Sequence, residues 1–280
     1  MELRIRPMIG DPQVPRIAVT PQPESGWHWV GFSVHRMAPG ASLAIAARPG
    51  REQAIVLLSG RVALDWRGHV TEIGQRTRVF EPIGPWTLYL EPADTASLRA
   101  ATASEVVVAD APVDSEWPRS HLFTPDDVIR EVRGEGVTER EIHHLLDGPG
   151  QAARLLLVEV LTPAGHWSSF PPHKHDTEDP PREAALEEVY YYRLDPESGW
   201  AVQRVYDQEG MDHTLAISDG EAVKVPRGYH PVAVPPGVRA YYLNAMAGPR
   251  RAWHFTVDPA FAHVPMFAVN NLAVEDGGQR

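Results

Sequence analysis

Cysteine is absent from this chain of 280 residues. Without thiolates the protein cannot form disulfides, iron–sulfur clusters, zinc ribbons or a cysteine nucleophile, so any metal must be bound by histidine and carboxylate. A chain without disulfides suits a reducing compartment, and we therefore expect a cytoplasmic protein.

Long apolar runs are also missing. No stretch approaches the roughly 18 consecutive apolar residues of a membrane-spanning helix. The first residues, MELRIRPMIGDPQ, have no apolar segment behind their basic side chains, as an export signal would require. We expect a protein that is neither exported nor inserted into a membrane.

Basic residues are fewer than acidic ones, and the formal net charge is -11 at pH 7. The acidic residues form short clusters along the chain rather than one tail. Such a surface does not favour binding to nucleic acid or to an anionic membrane. We therefore expect neither as a partner.

Proline and glycine, by contrast, are frequent, at 27 and 22 residues. Turn residues separate short β-rich runs at intervals of roughly 8–12 residues, which is typical of a sandwich or barrel. Residues 54–58 and 61–66 flank Ser59-Gly60 and predict a hairpin. Further strands are predicted over 78–81, 86–90, 96–101 and 105–109. The fold class predicted for the chain is all-β.

The strand pattern is interrupted between residues 114 and 150. Within this stretch Thr124-Pro125-Asp126-Asp127 has the N-cap, the first-turn proline and the acids of a short helix. Short strands resume after residue 150 and repeat the pattern of the first half without obvious sequence identity. We therefore predict a β domain over residues 1–113, a connector with a short helix over 114–150, and a second β domain over 151–280.

Three histidines and two glutamates in the second half are candidates for a metal site. His173 and His175 lie at i and i+2, which on a strand places both imidazoles on one face. Glu187 and Glu188 open the next β-rich run, and the alternation of side chains does not choose between them. His230 follows a strand and a Pro-x-Gly turn. Three imidazoles and one carboxylate would leave open positions on a divalent ion, as Lewis-acid catalysis requires.

A solvated, proline-rich loop would explain His173 and His175 alone. The ordered combination of His-x-His, a glutamate on the following strand and Pro-x-Gly-x-His favours metal binding. This combination resembles the cupin superfamily, in which a first motif supplies two histidines and a glutamate and a second motif the last histidine.

Several segments resemble, more specifically, the 5-deoxy-glucuronate isomerase family. They are PPHKHD (171–176), EEVYYYR (187–193), QRVY (203–206), VPRGYHP (225–231) and YYLNAMAG (241–248), with LSGR (58–61) and GQRTRVFE (74–81) in the first half. The resemblance implies a bicupin, with two double-stranded β-helix barrels. The first half has neither histidine motif, so its barrel would lack metal ligands and serve packing and assembly.

The same resemblance implies which residues bind the metal and what the protein does. His173, His175, Glu188 and His230 would hold a divalent ion, which could be Zn, Mn, Fe, Co or Ni. Glu188 is favoured because the related ketol-isomerases of pectin breakdown place their glutamate directly before a Val-Tyr pair. The implied reaction is an aldose–ketose isomerisation in myo-inositol catabolism, from 5-deoxy-D-glucuronate to 5-dehydro-2-deoxy-D-gluconate.

Such an isomerisation also needs a proton-transfer group and a cation for the substrate carboxylate. The candidates for proton transfer are Glu187, Tyr190, Tyr192 and Tyr242, although strand packing would explain each of them equally well. For the carboxylate Arg204 is the first candidate and Lys174 the second, and exposed salt bridges would account for both. We expect a small sugar acid as the partner, and self-association into a homo-oligomer through strand edges.

Three other functions would use similar residues. A related uronate ketol-isomerase would share the metal motif. A cupin dioxygenase would hold Fe(II) in the same ligand set and consume oxygen, whereas an isomerase would work without it. A non-catalytic sugar-binding cupin would keep its ligand after loss of the metal-binding side chains.

Overall fold

The computed structural model describes residues 2–8, 14–114 and 116–265. In these ranges the chain forms 23 strands and four single turns of 3-10 helix, with no α-helix, and the strands pair antiparallel throughout. The prediction of an all-β fold is confirmed. None of the helices in the described ranges has the length and apolar character needed to cross a membrane.

The strands are numbered here in chain order. Those of the first half are β1 Arg4–Ile5, β2 Ile17–Val19, β3 Gly31–Met37, β4 Ser42–Ile45, β5 Arg51–Ser59, β6 Val62–Trp66, β7 His69–Ile73, β8 Trp86–Leu90, β9 Ala96–Ala100 and β10 Ser104–Pro112. Three more lie between the halves: β11 His121–Phe123, β12 Ile129–Arg133 and β13 Arg140–His144. Those of the second half are β14 Leu156–Thr162, β15 Trp167–Ser168, β16 His173–Lys174, β17 Glu187–Asp195, β18 Ala201–Tyr206, β19 Asp212–Ile217, β20 Ala222–Val225, β21 Val232–Ala233, β22 Arg239–Ala247 and β23 Thr256–Val257. The 3-10 turns are Pro23–Ser25, Pro125–Asp127, Gly136–Thr138 and Pro259–Phe261.

The first barrel is made of a six-stranded sheet, β11-β8-β5-β10-β3-β2, and a four-stranded sheet, β4-β9-β6-β7. Side chains alternate along its strands, so that in β9 Ala96, Leu98 and Ala100 are buried while the residues between them are exposed. The space between the two sheets is filled by leucine, isoleucine and valine side chains. The interior of this barrel is therefore apolar.

The second barrel is made of a seven-stranded sheet, β1-β20-β17-β22-β14-β13-β12, and a four-stranded sheet, β15-β21-β18-β19. A short pair, β16-β23, carries His173. One apolar cluster joins the inner faces of both sheets and includes Tyr190 and Tyr192 from β17. The residues between them, Val189 and Tyr191, face the other way and pack in a cluster shared with the first half. The two large sheets therefore pack back to back, and β17 separates the common core from the barrel interior.

Buried polar contacts also join the two halves. The guanidinium of Arg76 forms a bidentate pair with Glu159, with distances of 2.8 and 2.9 Å, and both side chains are almost fully buried. Glu159 also accepts hydrogen bonds from Tyr241 and pairs with the His143 ring, each at 2.8 Å. Burial alone would raise the pKa of Glu159, but Arg76 and His143 outweigh it and lower the pKa to about 2.

We expect the protein to lose stability in acid partly through Glu159. A carboxyl whose pKa is lower in the folded state stabilises the fold at pH values above its unfolded pKa. Its contribution is lost as the pH falls from near the ordinary value of 4.5 towards about 2. Urea unfolding at several pH values across this window should show a steeper loss of unfolding free energy for wild type than for Glu159→Gln. Parallel pH dependence of the two proteins would contradict this.

The segment between the halves differs from the predicted helical connector. Residues 124–127 do form a capped turn, in which Asp127 accepts from both the backbone and the side chain of Thr124, but the helix is a single 3-10 turn. The rest of the segment contributes β11 to the first barrel and the hairpin β12-β13 to the second. Both strands of this hairpin are only five residues long and largely polar, so the sequence pattern did not mark them as strands.

Other predicted elements also differ. Residues 54–58 and 61–66 belong to different sheets, because the chain crosses between sheets at Gly60, where a Cβ would lie 2.5 Å from a backbone oxygen. The true hairpin is β6-β7, whose turn residues Arg67 and Gly68 both have positive φ, as tight hairpins favour. Residues 78–81 form a turn because the Glu81 carboxylate accepts from the backbone of Thr77 and Arg78.

The N-terminal strand of the chain also crosses into the second half. Strand β1, within the predicted first domain of residues 1–113, pairs with β20 of the second barrel's sheet, matching Ile5 with Ala222. Residues 266–280 of the predicted second domain lie outside the described residues.

Candidate metal centre

Four side chains from three segments of the chain meet inside the second barrel. His173 lies on β16 and His175 one residue beyond it, while Glu188 is the second residue of β17. His230 follows β20 through a turn at Gly228, which has a φ of 86° and where a Cβ would lie 2.5 Å from the Tyr206 backbone oxygen. The glycine of the Pro-x-Gly pattern is thus required by the close approach of two backbone segments.

The three imidazoles point at a common centre. Their ligand atoms all lie within 4.8 Å of one another. In each ring Nδ1 contacts a backbone carbonyl, at 3.2 Å for His173, 3.1 Å for His175 and 2.8 Å for His230. A ring that donates from Nδ1 keeps a lone pair on Nε2, and this is how metal-binding histidines are usually oriented.

Glu188 supplies a carboxylate oxygen to the same centre. Its Oε2 lies 3.1 Å from Nε2 of His175 and 3.2 Å from Nε2 of His230. Its Oε1 accepts a hydrogen bond of 2.5 Å from the side-chain amide of Asn244, which fixes the carboxylate. Burial would raise the pKa of Glu188, but His175 and His230 outweigh it and lower the pKa to about 2. The carboxylate is therefore ionised at neutral pH.

The donor set passes a simple test of fit for a divalent ion. Nε2 of His230 is buried and makes no hydrogen bond among the described residues, although Oε2 of Glu188 lies 3.2 Å away, and such an atom is costly unless something binds it. Burial, followed by the neighbouring His230 and His175, holds the pKa of His173 well below its ordinary value, so this ring is neutral and can donate a lone pair. Three imidazoles and one carboxylate could hold a metal ion.

A cavity adjoins this centre, and two of the predicted catalytic tyrosines line it. Tyr190 and Tyr242 lie beside His173 in its wall. The hydroxyl of Tyr190 is 2.9 Å from the hydroxyl of Ser169, whose backbone has a positive φ of 48°. A left-handed serine is strained, and such strain often occurs at functional sites.

The structure does not bring Glu187 into this cavity. The carboxylate of Glu187 accepts hydrogen bonds from the backbone N–H groups of His28, Trp29 and Val30 in the first half, at 2.5, 2.7 and 3.3 Å. Alternation along β17 turns Glu187 to the outer face of the sheet and Glu188 to the inner face. Glu187 therefore joins the two halves and is not placed to transfer a proton.

Three other predicted residues also lie away from the cavity. Tyr192 is buried in the barrel, where its hydroxyl donates to Gln203 at 2.9 Å. Arg204 is on an exposed strand in a bidentate pair with Asp212. Lys174 contacts two carboxylates beside its own strand, because alternation turns it away from the face of His173 and His175. Carboxylates of the protein already neutralise both Arg204 and Lys174, so neither side chain is directed at the candidate metal centre.

The cavity contains polar side chains that the sequence did not reveal. Arg133 and Arg140, on the hairpin β12-β13, line it together with Trp253. The two arginines were missed because the hairpin belongs to the segment interpreted as a connector. The alternation of Arg140, Ile142 and His144 along a short strand is the signal that could have placed Arg140 on one face with Ile142.

Two antiparallel barrels packed back to back, one with an apolar core and one with a three-histidine centre, define the class of a bicupin, with a single candidate metal site among the described residues. The chain belongs to the KduI/IolB family, whose model matches residues 8–264.

Individual relatives agree with this assignment. The chain is 44% identical over 245 residues to the 5-deoxy-glucuronate isomerase of Geobacillus thermodenitrificans, with 87% of this chain and 88% of that protein covered. It is 41% identical over 234 residues to the enzyme of the same name from Bacillus licheniformis, with 82% and 86% covered. The crystal structure of an IolB-like protein from Salmonella typhimurium LT2 superposes with a TM-score of 0.88 at 37% identity, covering 94% of this chain and 99% of that one. The oxalate decarboxylase of Lactobacillus farciminis, at 12% identity and a TM-score of 0.63, with 92% and 88% covered, shares the fold.

Proposed function

We propose that this protein is a metal-dependent aldose–ketose isomerase that converts 5-deoxy-D-glucuronate into 5-dehydro-2-deoxy-D-gluconate. The observation that carries the proposal is the set of His173, His175, Glu188 and His230, which converges beside a cavity that also contains phenol and guanidinium groups. The relatives named 5-deoxy-glucuronate isomerase support the choice of substrate.

The reaction moves a carbonyl from C1 to C2 of the sugar acid. The proton on C2 must leave and a proton must arrive at C1, with no net oxidation. A divalent ion held by the four side chains would supply Lewis-acid stabilisation of negative charge on O1 and O2. We propose Zn, Mn, Fe, Co or Ni, because this donor set discriminates poorly among them.

Tyr190 and Tyr242 are proposed to act on the sugar oxygens as hydrogen-bond and proton donors. Burial, reinforced by the nearby Glu188 charge, raises the pKa of Tyr190 well above its ordinary value. Burial also raises the pKa of Tyr242. Both phenols therefore stay protonated at neutral pH, and they can donate but are poor bases.

Tyr190→Phe is expected to lower kcat by roughly 10²-fold, the usual scale for loss of a positioned proton donor. Tyr192→Phe is the matched control, because it removes the neighbouring phenol of the same strand, which bonds to Gln203 instead of lining the cavity. Steady-state kinetics of the two variants, at equal metal content, provides the measurement. Equal losses in both would argue against a role for Tyr190 in the reaction.

The proposed function is tested by following 5-deoxy-D-glucuronate with purified, metal-loaded protein in D2O by proton NMR under nitrogen. We expect the C1 aldehyde or hemiacetal signal to be replaced by the signals of a ketose, with turnover that does not depend on oxygen. Oxygen uptake with cleavage of the substrate would indicate a dioxygenase. Binding without conversion, by protein loaded with each of the five metals, would indicate a non-catalytic sugar-binding protein.

A further inference from the structure

We propose that Arg140 binds the carboxylate of the substrate and thereby makes the protein selective for sugar acids over neutral sugars. This inference rests on the proposed function, because it assigns the charged end of the same substrate. It places the carboxylate at the hairpin β12-β13 and the aldehyde end at the histidines, within one cavity.

The guanidinium of Arg140 is buried but incompletely bonded. Only 6% of the residue is exposed. Its hydrogen bonds in the described part of the chain both come from Nη1, at 3.0 Å to the backbone oxygen of Thr138 and 3.4 Å to that of Arg133. The Nε–H and Nη2–H groups have no hydrogen-bond partner in that part of the chain. Those two groups form the edge of a guanidinium that pairs with a carboxylate in bidentate geometry.

The charge of Arg140 is also not neutralised at close range by the protein. No carboxylate among the described residues forms an ion pair with it. Glu131, whose charge acts on Arg140, forms a bidentate pair with Arg133 at 2.8 and 2.7 Å and also contacts His144. Burial, the main cause, lowers the pKa of Arg140. A buried cation without a counter-ion gains much from an incoming anion.

The cavity wall around Arg140 is largely apolar. Ile142 shares a face with Arg140 on β13, and it pairs across the sheet with Val160 in the same cavity wall. Trp253 also lines the cavity, and its indole N–H is buried without a partner among the described residues. Arg133 also lines the cavity, but its guanidinium forms a bidentate pair with Glu131. Arg140 is therefore the guanidinium of this wall that has no carboxylate partner among the described residues. An extended acid with a carboxylate at one end and an aldehyde at the other matches this arrangement.

The test compares Arg140→Met and Arg140→Lys with wild type on two substrates, 5-deoxy-D-glucuronate and its neutral carboxamide. We expect Arg140→Met to lower kcat/KM for the acid by about 10²-fold, mainly through KM, in line with loss of a charge-assisted bidentate contact. The kcat/KM for the carboxamide should stay near the wild-type value. The ratio of kcat/KM for the acid to kcat/KM for the amide, the acid-to-amide ratio, should therefore fall by about the same factor. The kcat/KM of Arg140→Lys for the acid should lie between those of wild type and Arg140→Met, because lysine keeps the positive charge but cannot form the bidentate contact.

Arg130→Met is the matched control, since Arg130 lies on the exposed side of the same hairpin and donates to the Pro82 backbone. Metal content and melting temperature of each variant show whether the barrel has remained intact. An unchanged acid-to-amide ratio in Arg140→Met would overturn the assignment while leaving the isomerase activity standing.

If wild type converts neither substrate, calorimetric titration with 5-deoxy-D-glucuronate separates the two hypotheses. Binding that is lost in Arg140→Met but kept in Arg130→Met would support the Arg140 site and refute the isomerase. Absence of binding, or binding insensitive to Arg140→Met, would refute the site.

Discussion

Replacing His230 by alanine is expected to remove bound metal and to lower kcat/KM by roughly 10³-fold or more. Removal of one preorganised electrostatic group from an active site alone lowers kcat by about 10²–10³-fold. Here the loss of a ligand would also weaken the binding of the ion that would supply Lewis-acid catalysis. The effect should be large because Nε2 of His230 is buried, lies 3.2 Å from Glu188 and has no other partner among the described residues.

The measurement is metal content after dialysis, by mass spectrometry, together with turnover of 5-deoxy-D-glucuronate. His213→Ala is the control, because His213 is an exposed histidine on β19 of the same barrel. Wild type stripped with a chelator and reloaded with each metal in turn shows which ion restores turnover. A His230→Ala protein that retained stoichiometric metal and full activity would refute the proposed ligand set.

Glu159→Gln is expected to lower the free energy of unfolding by about 3–5 kcal/mol, the typical cost of leaving one member of a buried ion pair without its partner. The substitution leaves the Arg76 guanidinium, which is 2% exposed at its side chain, opposite a neutral amide. Tyr241 and the His143 ring lose the charge of their shared acceptor in the same step.

Urea unfolding provides the measurement, and a pair on the surface provides the control. Arg61 and Glu72 lie 3.0 Å apart with side chains 54% and 59% exposed. Glu72→Gln should cost less than about 1 kcal/mol, because water screens such a pair. The double variant Arg76→Met/Glu159→Gln should cost less than the sum of its single variants, since the two residues are coupled. Additive costs would show that the pair does not act as a unit.

The three histidines of the candidate metal centre were accessible to sequence reasoning because their geometry is largely local. His173 and His175 are two residues apart, and His230 is set by a turn that only glycine fits at position 228. The choice between Glu187 and Glu188 was not local, because it depends on which face of β17 looks into the barrel. Pattern alone left that choice open, and the partners of each carboxylate now distinguish them.

What sequence reasoning missed depends on contacts distant in the chain. Gly60 looked like a hairpin turn because a turn signal does not reveal which strands pair after it. Arg140 looked like part of a connector because β12 and β13 are short, polar and at the edge of a sheet. Arg204 and Lys174 carry the right charge, but Asp212, Asp176 and Glu183 already neutralise them.

The pairing of β1 with β20 has a consequence for how this protein could be divided or reused. A fragment that began at residue 151 would lose the strand that covers the edge of β20, and it would leave Val189 and Tyr191 facing water. The barrel with the candidate metal centre is therefore not expected to fold as an isolated fragment or after transfer to another scaffold. The first barrel, which has no histidine cluster among its described residues, acts as a structural cover for the outer face of the strand that carries Glu188.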